Sequence, residues 1–285
     1  MAAVAEADIG IFERAPLPAS SLSHERLEEI AERSTWAQHV TRDWAWGGST
    51  GAGAAVCVLD SGIDGSHPDV GGLAGSWTVV EDGEQVSVVE AEPRDECGHG
   101  TACAGIIRSL APDCEISSVQ VLGAANTGSG RALMTGLRWA IERGFDVINL
   151  SLSTTRAAFA LELHELADSA YFRRAMLVCS AHNMTRESYP WRFSSVVSVG
   201  SHEEVGELSF FRNPEPPVEF YGRGLQVRVA WLGGGRIRAT GNSFAAPQLA
   251  GICALIRAKH PELTPYQLKS VLHLTASNVE AEASR

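Results

Sequence analysis

Along most of the chain, short runs of apolar and β-branched residues alternate with stretches whose apolar positions recur every three or four residues. The first kind predicts strands: "AAVCVLD" (54–60), "ISSVQVLG" (116–123), "FDVINLSLS" (145–153), "AMLVCSA" (175–181) and "SVVSVGS" (195–201). The second predicts helices over 99–110, 132–144, 158–172, 243–259 and 264–274. Gly144 supplies a helix stop, and Thr264 with Pro265 supplies the cap and first turn of the last helix. Trp36, Val40 and Trp44, spaced by four, begin a further helix at Ser34 that "GGSTGAG" ends. Near-continuous apolar strands separated by amphipathic helices predict a three-layer α/β fold, a mostly parallel central sheet with helices on both faces. Residues 205–240 break the pattern with turns ("RNPEPP", "LGGG") and short alternating strands. One α/β domain is expected over 34–285. Residues 1–33, a proline-containing lead followed by the charged "SHERLEEIAERS", are expected to form an N-terminal extension.

Composition narrows the function more by exclusion than by assignment. With 45% hydrophobic residues the chain can bury a large core. Its net charge of −11 (23 basic, 34 acidic) argues against nucleic acid or an anionic membrane as partner. No apolar stretch approaches the roughly 20 residues of a membrane span. The N-terminus lacks a basic segment and carries Glu6 and Asp8 where a signal peptide is apolar, so a cytoplasmic setting is expected. Of six cysteines, Cys57, Cys179 and Cys253 sit inside apolar runs, where cysteine acts as a small hydrophobe; free thiols are expected.

Ligands of open parallel sheets bind beyond the carboxyl ends of strands. Asp60 directly follows one strand, "SLS" (151–153) another, and "SAHN" (180–183) a third. His99, between glycines in "CGHGT", and Ser243, in "GNS" ahead of Pro247, both stand at predicted helix starts, where unpaired N–H groups favour developing negative charge. Serine needs a base to remove its proton, histidine titrates in the right range, and aspartate fixes the imidazole tautomer, so Asp60, His99 and Ser243 form a candidate triad. A zinc reading of Cys97, His99 and Cys103 lacks a paired CxxC. An esterase reading of "GNSFA" lacks the second glycine of GxSxG, and the acid and histidine that should follow could only be Glu262 and His273, both on predicted helices.

The order Asp, His, Ser and the segments "VCVLDSGIDGSHPDV", "DECGHGTACAGII" and "TGNSFAAPQLAGICALI" resemble the subtilisin-like (S8) serine proteases, over about Ser34 to Thr275. The resemblance implies the subtilisin-like fold and peptide hydrolysis through an acyl-enzyme. It makes Asp60 the orienting acid, His99 the general base and Ser243 the nucleophile. Asn183 becomes a side-chain donor to the oxyanion, with the Ser243 N–H as the second. Ser151, Leu152 and Ser153 match one strand that pairs with the substrate backbone, and Gly128, Ser129 and Gly130 match the opposite edge; Arg131 stands beside it, in place to favour an acidic substrate residue. The departures are Asn242 for threonine, Gln248 for histidine, His182 for glycine and Met184 for an acid. Ser153 and Ser188 stand where glycines line the wall and floor of the first specificity pocket. No cofactor is expected. Calcium is left open, because no loop matches the family's calcium sites clearly. The expected partner is a peptide or protein substrate, with the oligomeric state open. The expected role is a selective intracellular processing protease, such as one that removes the leader of a modified peptide natural product. General protein turnover and a non-catalytic peptide-binding module are the alternatives.

Overall fold

A computed structural model describes residues 40–204, 206 and 208–279. The extension expected over 1–33, and the helix expected from Ser34 as far as residue 39, lie outside the described residues. Val40 is not helical; Thr41 caps a short helix α1 (Arg42–Trp46) by accepting from the Trp44 N–H.

The strands β1 (Ala55–Asp60), β2 (Gly75–Asp82), β3 (Gln85–Glu90), β4 (Glu115–Gln120), β5 (Val147–Leu150), β6 (Met176–Ser180), β7 (Val197–His202), β8 (Phe211–Arg212) and β9 (Phe220–Arg223) form one sheet, ordered 3-2-4-1-5-6-7-9-8. Every pairing is parallel except the two at the edges, β2 with β3 and β8 with β9. The central strands β5 and β6 are buried along their whole length, as apolar runs covered on both faces must be. Helices α3 (Gly130–Arg143) and α4 (Ala160–Phe172) cover one face, with Leu133, Leu137, Leu163 and Ala167 packed on Leu59, Ile148 and Leu177. Helix α2 (His99–Leu110) and the long helix α5 (Asn242–Lys259) lie together on the other, and α6 (Pro265–Thr275) follows behind a Thr264 capping box. Strands β10 (Val227–Trp231) and β11 (Gly235–Ala239) make a separate antiparallel hairpin beside α2.

The hairpin β2–β3 was not anticipated. Its strands alternate poorly in polarity because they form one edge of the sheet and are half-exposed. The signal was the two-residue loop, in which Gly83 takes φ 59°. Strand β5 also stops at Leu150, not at Ser153. Leu150 pairs with Leu59 near the end of β1, so residues 151–153 run on beyond the paired part of the strand.

The order of strands puts β1 at the point where successive strands begin to add on opposite sides, with β4 on one flank and β5 on the other. Asp60 and Ser180 end the strands β1 and β6, and Ser151 and residues 181–183 follow β5 and β6, at the carboxyl edge where a crevice opens in such sheets. Helix α2 reaches this edge only because Gly100 is bare. A Cβ there would stand 2.0 Å from the Gly62 carbonyl oxygen and 3.1 Å from the Asp60 Cβ. Gly100→Ala is therefore expected to cost about 1–3 kcal/mol of stability, the range for overpacking a tight site. Denaturant melts on a Ser243→Ala background, which prevents self-cleavage, check this; an unchanged midpoint contradicts it.

Candidate active site

Asp60 is wholly buried, and one carboxylate oxygen accepts from His99 Nδ1 at 2.7 Å and from the Ser61 N–H at 2.8 Å. An ionised carboxylate only accepts, so Nδ1 carries the proton and Nε2 is the ring nitrogen left with a free lone pair. His99 is itself buried, with Phe244 against its ring at a centroid distance of 5.3 Å. Burial alone would lower its pKa. The Asp60 charge, the hydrogen bond to it and the more distant Asp95 charge outweigh burial and hold it above the ordinary imidazole value.

Asp95 organises this corner, and sequence reasoning missed it. One oxygen accepts from Ser61 Oγ and from the N–H groups of Cys97 and Gly98, at 2.8–2.9 Å. The other accepts from the Thr101 N–H and Oγ, at 2.9 and 2.7 Å. Gly98, the N-cap of α2, has no side chain, so Asp95 supplies the acceptors and the negative charge that a helix start requires. The legible signal was an acid four residues ahead of His99 in "DECGHGT".

Ser243 occupies the second position of α5, where N–H groups have no intrahelical acceptor. Pro247 lies four residues on, inside the helix. Proline has no N–H to give the carbonyl at i−4, so the Ser243 carbonyl is released from the helical ladder. Ser151 Oγ donates to it at 2.8 Å, and the Cys103 thiol approaches it at 3.6 Å. The Asn149 side chain donates in turn to Ser151 Oγ at 3.0 Å. The proline thus ties the serine turn to the end of β5.

Asn183 is fixed from the same turn. Its Oδ1 accepts from the Asn242 N–H at 2.8 Å, which leaves the amide N–H groups free to face outward. A Cβ on Gly241 would stand 3.4 Å from Asn183 Nδ2 and 3.4 Å from Ser243 Oγ, so the two groups converge on that bare backbone. Asn242, in place of threonine, donates to the Ala181 carbonyl at 3.1 Å and meets Ser201 Oγ, joining the ends of β6 and β7. Gln248, in place of histidine, accepts from the Arg223 N–H and donates to the Ser209 carbonyl at 3.1 Å. Both departures are structural ties.

His99, Ser243 and Asn183 line one cleft of about 510 Å³, with Gly128, Ser129 and Gly130 along one edge and Ser151, Leu152 and Ser153 along the other. Met184 stands at its lip, 61% exposed. Leu122 and Leu133, not singled out from sequence, add apolar lining. Two expected residues are placed elsewhere. Arg131 reaches the carbonyls of Gly83 and Glu84 in the β2–β3 loop, and its neighbour Ser129 meets Glu81 there, because the unforeseen hairpin docks on the start of α3. Ser188 is fully buried and does not line the cleft. The Cys103 thiol also lies beside the triad, 3.9 Å from Asp60 Oδ2. Burial, then the Asp60 charge, push its pKa up, so it stays a neutral donor. Among the described residues the one group of metal-ligating side chains is Asp60, His99 and Cys103, and the hydrogen bond between Asp60 and His99 already occupies it; Cys97, part of the zinc reading, is not in it.

Fold and constellation together have the form of the subtilisin-like serine proteases. The model of the subtilase family, Peptidase S8, matches residues 51–285, and the chain belongs to that family. It is 32% identical over 243 residues to a thermostable alkaline protease of Halalkalibacterium halodurans, covering 81% of this chain and 64% of that protein. It is 32% identical to M-protease of Shouchella clausii, over 89% of this chain and 69% of the relative, and 32% identical to subtilisin Savinase of Lederbergia lenta, over 81% and 86%. The chain thus spans about two thirds of the length of the first two. The crystal structure of a cold adapted subtilisin-like serine proteinase superposes with a TM-score of 0.67 at 26% identity, covering 82% of this chain and 88% of that one.

If Asn183 stabilises a developing oxyanion, Asn183→Ala should lower kcat about 10²–10³-fold while KM changes little. Steady-state kinetics on one peptide checks this, and a change confined to KM contradicts it. Only neutral His99 accepts a proton, and its pKa is raised above 6.5, so kcat/KM should rise with pH along an acid limb whose midpoint lies above that value. A midpoint below 6.5 contradicts the assignment.

Proposed function

We propose that this chain is a selective processing endopeptidase working through Asp60, His99, Ser243 and Asn183. The observation that carries the reading is the buried hydrogen bond from His99 Nδ1 to Asp60, in a cleft that also holds Ser243 and Asn183. An extended peptide lies between the edges at 128–130 and 151–153, its backbone pairing with both. His99 Nε2 takes the proton from Ser243 Oγ as the oxygen attacks the substrate carbonyl carbon. The carbonyl oxygen becomes an oxyanion between the Asn183 amide and the Ser243 N–H. His99 then gives its proton to the departing amine, the C–N bond breaks, and an acyl-enzyme remains. Water repeats the sequence, losing a proton to His99 and releasing the acid.

Selectivity is supported by the side chains His182, Met184 and Ser153, which stand about the first pocket where the family resemblance places a glycine, an acid and a glycine. Arg131 no longer supports a preference for acidic substrates, being held by the hairpin carbonyls. A reducing, intracellular setting is supported by the cysteines: all six are free thiols, and burial holds the pKa of Cys57, Cys179 and Cys253 far above the ordinary value. Removal of a leader from a modified peptide is the use that such selectivity fits.

Ser243→Ala should abolish cleavage, a loss on the order of 10⁶ in turnover, while the protein stays folded. Turnover near that of the parent rejects Ser243 as nucleophile. With the intact protein, casein and a peptide library separate the roles. Cleavage confined to a few related sequences is expected; rapid cutting of casein at many unrelated sites favours general turnover.

A further inference from the structure

The pocket beside the scissile bond does not open onto Ser188, which has no surface reaching solvent and is absent from the cleft lining. We infer that its floor is closed, and that the protein cleaves after short side chains: glycine, alanine or serine. This inference rests on the peptidase reading above.

The position of the pocket follows from the site. With the reacting carbonyl carbon at Ser243 Oγ and its oxygen at Asn183 Nδ2, the side chain on the acyl side enters between residues 151–154 and residues 181–184. Both segments line the cleft, so both walls are in place. The depth is set by what lies beneath. Thr154 and Tyr189 exchange two backbone hydrogen bonds of 2.9 Å, which stitch the segment carrying Ser188 to the wall carrying Ser153. Ser188 has no surface open to solvent. Its hydroxyl accepts from Trp191 Nε1 at 2.8 Å, and Tyr189 and Trp191, partly buried, pack against the main core. Where water does not reach, a substrate side chain does not reach without moving core residues, and close-packed interiors resist that.

Chemistry at the walls agrees. Ser153, Thr154 and His182 bound the space that remains, and the neighbouring Ser151 hydroxyl is already engaged by the Ser243 carbonyl. His182 is held over the lip by the Met184 N–H, which donates to its Nδ1 at 3.0 Å. A leucine or phenylalanine entering here would have to displace the hydrogen-bonded pair of Ser188 and Trp191. A methyl or hydroxymethyl group would not.

The test uses the full chain and a peptide set that differs only in the residue on the acyl side of one bond. Misfit of single methylene size in a binding pocket changes kcat/KM by about 10–200-fold, so glycine, alanine and serine peptides are expected to exceed leucine and phenylalanine peptides by at least about tenfold. A double variant, Ser188→Gly with Trp191→Ala, should raise the phenylalanine rate relative to alanine by about tenfold. If that variant does not fold, the profile of the unaltered protein decides alone. Equal or faster cleavage after leucine or phenylalanine by the unaltered protein overturns the inference and leaves the peptidase reading standing. Failure to cut any peptide, together with failure of Ser243 to react with a fluorophosphonate, overturns that reading and the inference with it.

Discussion

The hydrogen bond between Asp60 and His99 is the constraint from which the rest of the site follows. A carboxylate with no exposure is costly unless donors surround it, and Asp60 receives the Ser61 N–H and His99 Nδ1, with the Cys103 thiol near its second oxygen. That requirement fixes the imidazole tautomer and brings the start of α2 against the end of β1. Close approach demands a bare Gly100, and the helix start left without a capping side chain at Gly98 demands Asp95. Each of these residues answers a need created by the one before it.

The serine side is built by a different device. Pro247 breaks one rung of the α5 ladder, and the freed Ser243 carbonyl becomes an attachment point for Ser151. The Asn242 N–H, at the same turn, holds Asn183 by its oxygen. One helix start thereby fixes a hydroxyl, a backbone donor and a side-chain donor relative to one another. It is anchored through β5 and β6, the strands flanking the bond-cleaving edge. The alternation of small and apolar residues after Ser243 is what lets α5 bury nearly its full length on the sheet.

Much of this was legible in the sequence where burial and period coincide. The buried strands β5 and β6 and the helix at 99–110 stood out because apolar content alone marks them, and the triad because each member ends a strand or starts a helix. The hairpin β2–β3 was not legible by periodicity, being half-exposed and acidic, although its glycine loop was there to be read. Its omission also misplaced Arg131, whose partners are hairpin carbonyls 47 and 48 residues away in sequence. Ser188 was misread for a related reason. A residue that aligns with a pocket floor tells nothing of depth until the ring of Trp191 and the bridge between Thr154 and Tyr189 are in place. Asp95 and Cys103 act through hydrogen bonds to backbone and carboxylate; the acid four residues ahead of His99 was there to be read, whereas the contact of the Cys103 thiol with Asp60 is one that no residue pattern encodes.

The measurement that bears most directly on this account is ¹⁵N NMR of the His99 ring across a pH titration of the intact protein. Nδ1 should stay protonated throughout, held by Asp60, and Nε2 alone should gain and lose its proton, with a midpoint above 6.5. A neutral form protonated at Nε2, or a midpoint below 6.5, would contradict it.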